Sequence, residues 1–145
     1  MINLRKTSDN KFSGVIRIIL GMIFFMTGVM KLFIPMFTEA WMGQLVYAGL
    51  PLITFNFWFV PIMETVLGIL LLRGIYSRIA SLAIIPIMLV AFYVHIAVDN
   101  PSLFPLQPEL PVIPVIVIIM AVVILKIGGG SWSEDLKHTL KNVSS

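Results

Sequence analysis

The sequence predicts an all-α membrane protein: a four-helix transmembrane bundle with a short interfacial helix between the first two spans. Hydrophobic residues make up 59% of the 145-residue chain, and its mean hydropathy is +1.01. Soluble domains contain only about 45–50% apolar residues. The apolar residues also form four long runs, and a helix needs about 20 such residues to cross a bilayer. Composition and arrangement therefore indicate the same fold class.

The four runs predict one domain over residues 1–145, with helices over about 13–34, 54–72, 79–98 and 111–126 and a tail over 127–145. The first run is longer than the 7–15-residue apolar region of a signal peptide and lacks an A-x-A-like cleavage site, so we expect it to be retained. Between the first two runs, Phe37, Trp41 and Leu45 recur at i, i+4 and i+8. This spacing is typical of a short amphipathic helix at the interface.

Three local patterns give finer expectations. Gly21 and Gly28 are seven residues apart and share a helix face, which lets a neighbouring helix approach closely. Pro61 cannot donate a backbone hydrogen bond, so the carbonyl of Phe57 should lose its helical partner and the second span should bend. In the tail, Ser131-x-x-Glu134 predicts a capping box for a short polar helix.

Charge placement predicts how the chain crosses the membrane. Lysine and arginine concentrate in the N-terminal segment, the 73–78 loop and the tail, and of the ten only Lys31 lies on the other side. Because cytoplasmic segments carry the excess of basic residues, both termini should be cytoplasmic. We expect a multi-pass integral protein of the bacterial plasma (inner) membrane. The net charge of +3 follows from this placement and gives no reason to expect a nucleic-acid partner.

Residue types limit the chemistry that the chain can perform alone. The absence of cysteine excludes disulfides, iron–sulfur clusters and thiolate nucleophiles built from this chain. The two histidines, His95 and His138, are expected on opposite sides of the membrane, so neither a bis-histidine haem nor a zinc site is expected. No metal site and no intrinsic cofactor are predicted.

One carboxylate, Glu64, lies near the middle of the second span. A charge at the bilayer centre costs roughly 2.5–3.5 kcal/mol on insertion scales, so Glu64 should face protein and meet a cation. Depth counted along the helices favours Arg17 as the partner, with Lys31 as the alternative. Tyr93 and His95 are expected on the same outer half as Lys31. The candidate catalytic residues are Glu64 and Arg17, and the candidate ligand-binding set adds Lys31, Tyr93 and His95.

Each of these residues also has a purely structural interpretation. Arg17 and Lys31 can be interfacial anchors whose long stems reach water, and His95 can be an interfacial residue at a helix end. For Glu64 the structural alternative is a buried ion pair with no further role.

The chain resembles the DoxX family of small four-helix membrane proteins over nearly its whole length. The resemblance rests on four spaced patterns: R-x3-G-x6-G-x2-K from Arg17 to Lys31, G-x-P at Gly49 and Pro51, E-x3-G at Glu64 and Gly68 followed by G-x3-R at Gly74 and Arg78, and G-x-G-x2-S-x-D at Gly128, Gly130, Ser133 and Asp135. The tail departs slightly from the family's regular apolar-Ser pattern at Trp132 and Ser133.

The resemblance implies a membrane protein of a family often labelled as oxidoreductases, with a name linked to thiosulfate:quinone oxidoreduction. Because no cofactor motif is present, the implied electron carrier is borrowed: a quinone or similar lipophilic molecule near Glu64, with electrons exchanged through a redox partner protein. Whether the chain is an enzyme stays open. The alternative is a non-enzymatic assembly or scaffold protein that holds partner complexes through its glycine-lined faces. The bilayer is the expected environment, and a homo-oligomer is compatible with either function.

Overall fold

The computed structural model describes residues 5–143, which form six α-helices and one 3-10 turn, with no strand among them. The helices are α1 (Lys11–Phe33), α2 (Pro35–Tyr47), α3 (Ile53–Arg73), α4 (Ser77–Ala97), α5 (Val112–Ile127) and α6 (Glu134–Val143), and the 3-10 turn is Pro101–Leu103. The first four residues of the expected domain and the last two of its tail lie outside the described residues.

Helices α1, α3, α4 and α5 pack against one another, and we call this group the bundle. Helix α1 packs on α3 and α5, and α4 packs on the same two helices. Both ends of the described chain reach one end of this bundle, which we call the base and define as residues 5–14, 73–78 and 126–143. The opposite end is closed by α2, by the turn over residues 48–52 that follows it and by residues 98–111, which together we call the loop layer.

Three of the bundle helices have the length and composition of membrane spans, which identifies an integral membrane protein. Helices α1, α3 and α4 have 23, 21 and 21 residues, and the mean hydropathies of their apolar stretches are 2.0, 1.8 and 2.3. Helix α5 is equally apolar but has 16 residues. At 1.5 Å per residue it is about 24 Å long, somewhat less than the roughly 30 Å of a bilayer core.

Large side chains divide between a core and an outward apolar surface. The core between the bundle helices contains Leu20, Phe24, Leu71, Ile84 and Ile124, each at most 1% exposed. Many apolar side chains face outward instead, such as Met26 at 52% and Trp58 at 54% exposed. A soluble protein rarely shows so large an apolar surface, whereas acyl chains cover it in a bilayer.

The closest helix contact is made by glycines of α1 and α3. A Cβ added at Gly21 would lie 2.9 Å from the backbone nitrogen of Leu72, and one added at Gly28 would lie 2.7 Å from the carbonyl oxygen of Pro61. Gly68 of α3 makes the corresponding close contact with α1, because a Cβ added there would lie 2.7 Å from the Cα of Phe25. The prediction that Gly21 and Gly28 line a helix–helix contact is confirmed.

The short helix between the first two spans is also present. Helix α2 begins at Pro35, a position where the missing N–H is not needed. Of the predicted stripe, Trp41 is 7% exposed and Leu45 is fully buried. This part of the stripe therefore packs against protein, and the α2 side chains left exposed include Val46 and Tyr47.

Candidate functional site

The buried carboxylate of α3 pairs with a lysine of α1. Lys31 Nζ lies 2.7 Å from Glu64 Oε1 and 2.8 Å from Oε2. The Glu64 side chain is 4% exposed, whereas that of Lys31 is 20% exposed. The expected pairing of Glu64 with Arg17 is therefore wrong, and the alternative with Lys31 is confirmed.

The helix register explains this correction. Gly28 packs on Pro61 and Thr65, and Gly21 packs on Leu71 and Leu72. The two helices are therefore antiparallel, so that later residues of α1 lie opposite earlier residues of α3. Lys31 lies one turn beyond Gly28 and therefore meets the turn that contains Glu64. Arg17 lies one turn on the other side of Gly21, opposite the end of α3. Counting depth from the helix ends missed this register.

Trp41 of α2 covers the ion pair. Lys31 Nζ lies 4.8 Å from the centroid of the Trp41 ring, within the range of a cation–π interaction. The indole Nε1 donates to the carbonyl oxygen of Phe57 at 3.2 Å. This is the carbonyl that Pro61 deprives of its helical donor, so the gap in α3 is filled by a side chain from α2. The same tryptophan thus holds α2 to α3 and places its ring over the cation.

This arrangement predicts coupling between two substitutions. Trp41→Phe should lower the free energy of unfolding by about 1–3 kcal/mol, because it leaves the partly buried Phe57 carbonyl without a donor. Pro61→Ala restores a backbone N–H at that position. In the Pro61→Ala background Trp41→Phe should therefore cost clearly less, as measured by unfolding in mixed detergent micelles. An equal cost in both backgrounds would contradict the role given to the indole N–H.

A cavity of about 190 Å³ lies beside Trp41, between α2, α3 and α4. Its lining residues are Trp41, Leu45, Leu50, Pro51, Asn56, Val60 and Val90. Val60 precedes Glu64 by one helical turn, so the cavity lies on the face of α3 that carries the carboxylate. A wider, shallow depression of about 470 Å³ is lined by Leu50 and by residues 52–55, and Leu50 is common to both. We call the two together the α2–α3 groove.

The other two candidate residues contact the loop layer. Tyr93 donates its hydroxyl to the carbonyl oxygen of Ala48 at 3.3 Å. His95 Nε2 lies 3.0 Å and 3.1 Å from the carbonyl oxygens of Pro108 and Glu109, and its ring lies 4.2 Å from that of Phe104. Carbonyl oxygens only accept hydrogen bonds, so Nε2 must carry the proton. The hydrogen bonds described for Tyr93 and His95 bind loops and do not join them to the Lys31–Glu64 pair.

Arg17 is a structural centre at the base. It is fully buried, and its guanidinium donates to four carbonyl oxygens: those of Gly129 at 2.7 Å, Leu72 at 3.0 Å, Ser131 at 3.2 Å, and Leu71. The carbonyls of Leu71 and Leu72 belong to the last turn of α3, where helical donors run out. Arg17 thus closes the end of α3 and holds the tail segment to it.

The residue that sequence reasoning left without a role is Asp135. It is 1% exposed, and its carboxylate accepts from the backbone N–H groups of Tyr76 and Ser77 at 3.0 Å and 2.8 Å and from Arg5 Nε at 2.9 Å. A carboxylate is favourable at a helix N-terminus, so Asp135 caps α4 from the tail. The G-x-G-x2-S-x-D pattern was the only sequence signal for it.

The predicted capping box at Ser131 and Glu134 is wrong. Helix α6 begins at Glu134, and the hydroxyl of Ser133 accepts from the Leu136 N–H at 3.1 Å, which is the N-cap arrangement. The hydroxyl of Ser131 instead donates to the Asp9 carboxylate. The cap lies two residues later because Trp132, between Ser131 and Ser133, adopts a left-handed φ of 58°, so a helix cannot run from Ser131.

A conservative substitution should reveal how much the base depends on Arg17. Arg17→Lys keeps the positive charge but replaces the planar guanidinium, which donates hydrogen bonds to four carbonyl oxygens, with a single ammonium group. Several of those carbonyls lose their donor, so we expect a loss of about 2–4 kcal/mol in unfolding free energy. Arg73→Lys is the matched control, because Arg73 is exposed at the end of α3. Equal stability of the two variants would contradict the role of Arg17.

The described residues include no group of three or more His, Asp or Glu side chains placed to hold a metal ion. In a comparison with known families, a family model described as DoxX matches residues 13–97. This region contains α1, α2, α3 and α4 almost completely, and with them the Lys31–Glu64 pair and Trp41. No curated protein and no solved structure shows significant similarity to the chain.

Proposed function

This chain belongs to the DoxX family of membrane proteins, and we propose that it binds a lipophilic carbonyl compound of the quinone class in the α2–α3 groove. In this proposal the protein is a redox-associated membrane subunit. The proposed ligand-binding residues are Lys31 and Glu64. Trp41 connects them to the groove, because it lines the cavity and its ring lies against Lys31. Tyr93 and His95 hold the loop layer that closes this end of the bundle, and Arg17 holds the base.

The observation that carries the proposal is the unequal burial of the ion pair. Glu64 is almost completely enclosed, whereas the Lys31 side chain keeps 20% of its surface accessible. An ammonium has three N–H donors, and the two contacts to Glu64 leave one for a ligand. Ionisable groups inside membrane spans often mark functional sites because their burial is costly.

The size of the groove suits a ring with an apolar tail. The cavity of about 190 Å³ is smaller than the roughly 300–1,000 Å³ of pockets that enclose a whole drug-sized ligand. It can admit one ring next to Trp41. The tail would lie in the shallow depression along residues 52–55, where it stays in contact with lipid.

The pair can supply a hydrogen bond and a proton. Reduction of a quinone to a quinol takes two electrons and two protons. Lys31 can donate a hydrogen bond and then its proton to one carbonyl oxygen, while Glu64 stays a carboxylate beside the resulting amine. Water reprotonates Lys31 and supplies the proton of the second quinol oxygen. The electrons would come from a partner protein, so this chain contributes binding, orientation and proton transfer.

Ligand binding can be tested through Trp41 fluorescence. The chain has three tryptophans, and Trp58→Phe with Trp132→Phe leaves Trp41 as the reporter. We expect a short-chain ubiquinone to quench Trp41 saturably in nanodiscs. The matched control is Trp41→Phe with Trp132→Phe, in which the outward-facing Trp58 reports unspecific partitioning and should be quenched without saturation.

A second variant connects the signal to the ion pair. Lys31→Met with Glu64→Gln in the Trp41 reporter background should abolish saturation while the spectrum of the unliganded protein stays native. Quenching of Trp41 and Trp58 with the same linear dependence would overturn the proposed site, as would saturation that survives the double substitution.

The alternative of an assembly protein that holds partners through glycine faces has less support. Gly21, Gly28 and Gly68 are covered by the contact between α1 and α3. They are therefore unavailable to a helix from another protein in this arrangement.

We further propose that α5 crosses the bilayer with the other three bundle helices and that the base is cytoplasmic, in the inner membrane of a bacterium. Of the ten basic residues, Lys31 alone lies outside the base and its adjoining helix turns. Because the chain has no cysteine, Ser102→Cys in the exposed 3-10 turn gives a clean reporter. A membrane-impermeant maleimide should label it from outside intact cells. Labelling only after the cytoplasm is opened would reverse the orientation.

A further inference from the structure

The last helix carries an apolar stripe that the rest of the described chain leaves uncovered. Leu140 is 60% exposed and Val143 is 82% exposed, and Leu136 is partly exposed on the same face. Trp132, two residues before the helix begins, is 61% exposed. Four large apolar side chains thus follow one another along the tail at the base of the bundle.

The stripe lies on a different side of α6 from the protein contact. The protein-facing side carries Asp135, which is bonded to Tyr76 and Ser77, and Thr139, whose hydroxyl contacts the Thr7 N–H at 3.4 Å and the Asp135 carbonyl at 2.8 Å. At about 100° per residue, the leucines and Val143 lie roughly a quarter turn from this side. Lys137 and Lys141 lie roughly a third of a turn further round. Glu134 lies beside these lysines, with Oε1 3.4 Å from Lys137 Nζ. Helix α6 therefore has a protein sector, an apolar sector and a charged sector in which the lysines are in excess.

The level of α6 relative to the spans is set by a backbone contact. The Asp135 N–H donates to the carbonyl oxygen of Gly74 at 3.0 Å, and Gly74 directly follows the last residue of α3. Helix α6 thus begins at the height where a membrane span ends. An apolar surface exposed at that height meets the boundary between acyl chains and headgroups.

The charge of the base adds a second, independent argument. Residues 5–14, 73–78 and 126–143 contain eight lysines and arginines and three aspartates and glutamates. A basic segment next to a membrane span is attracted to anionic lipid by roughly 1 kcal/mol per charge. The base is thus electrostatically complementary to a surface of lipid phosphates.

We propose that α6 is an interfacial helix that binds the bilayer surface. Its stripe of Trp132, Leu136, Leu140 and Val143 inserts at the headgroup–acyl boundary, and the cationic base faces the phosphates of anionic lipids. A helix with one apolar side and lysines on another is the form that binds in the plane of a membrane. This surface is separate from the α2–α3 groove, and the proposal does not depend on the function proposed for that groove.

The experiment uses the full chain with Trp41→Phe and Trp58→Phe, which leaves Trp132 as the reporter. In nanodiscs of phosphatidylglycerol brominated near the headgroup end of the acyl chains, we expect Trp132 fluorescence to fall about twofold relative to unbrominated lipid, as for an indole at the boundary. Phosphatidylcholine brominated at the same position should quench it less. Equal quenching in the two lipids would overturn the electrostatic part of the proposal.

Two matched variants test the stripe itself. Leu140→Glu places a charge in the apolar sector and should largely remove the quenching, whereas His138→Glu adds the same charge outside it and should leave the quenching in place. Equal effects of the two variants would overturn the insertion of the stripe. The Trp41→Phe and Trp132→Phe protein, which keeps only Trp58, reports quenching at the lipid-facing surface of the bundle. If Trp58 is quenched there while Trp132 stays unquenched in its own reporter protein, lipid does not cover α6 and the proposal fails.

Discussion

Gly28→Leu is expected to lower the unfolding free energy by about 3 kcal/mol, the upper part of the range for overpacking substitutions. A Cβ at this position would lie 2.7 Å from both the Pro61 carbonyl oxygen and the Thr65 backbone nitrogen. These are backbone atoms of α3, so the clash is relieved only if α1 and α3 move apart. Such a movement would also loosen the contact at Gly68 and the register that brings Lys31 to Glu64.

The measurement is unfolding by SDS in mixed micelles, followed by circular dichroism. Met26→Leu is the matched control, because it places the same side chain on α1 at a position that is 52% exposed. It should leave the midpoint essentially unchanged. A Gly28→Leu midpoint equal to that of the control would show that the helices tolerate the separation, which would contradict the close contact.

The parts of the fold that the sequence predicts well depend on neighbouring residues. The glycine face of α1 follows from the spacing of Gly21 and Gly28, and the opened carbonyl of Phe57 follows from Pro61 four residues later. The long helices begin and end within two residues of the expected positions, because apolar runs and their flanking polar residues are local signals.

The pairing of the intramembrane carboxylate could not be obtained in the same way. Depth counted along each helix depends on where the membrane surface is placed. An error of one or two helical turns is enough to make Arg17 the predicted partner of Glu64 in place of Lys31. The deciding information is the register between α1 and α3. That register is set by which backbone atoms of α3 fit against Gly21 and Gly28, and no single helix contains it.

The base was harder still, because its contacts join distant parts of the chain. The hydrogen bond from Arg17 to Gly129 spans 112 residues, and the ion pair of Arg5 with Asp135 spans 130. A sequence pattern shows that the tail contains glycines, a serine and an aspartate at regular spacing. It does not show that Asp135 caps α4 or that the carbonyls of the tail receive the Arg17 guanidinium.

The ion pair predicts an unequal and non-additive response to substitution. Lys31→Met leaves Glu64 enclosed without its cation and should cost about 3–5 kcal/mol, as for a broken buried pair. Glu64→Met should cost less, because the Lys31 side chain is 20% exposed and its long stem can carry the ammonium to water. Lys31→Met with Glu64→Met should recover most of the larger loss, since two apolar side chains need no partner.

Arg17 provides the comparison that separates this pair from the one favoured by depth alone. Because Arg17 donates to carbonyls of the α3 end and the tail, its loss should add to that of Glu64 within about 0.5 kcal/mol, as for independent sites. The measurements are SDS unfolding free energies for Lys31→Met, Glu64→Met, Arg17→Met and the two double variants that contain Glu64→Met. Additive losses for Lys31 and Glu64, together with strong coupling between Arg17 and Glu64, would show that Arg17 and not Lys31 is the partner of Glu64. We expect the reverse, since the carboxylate has the ammonium within 2.8 Å of both oxygens, whereas the guanidinium is held at the base by backbone acceptors.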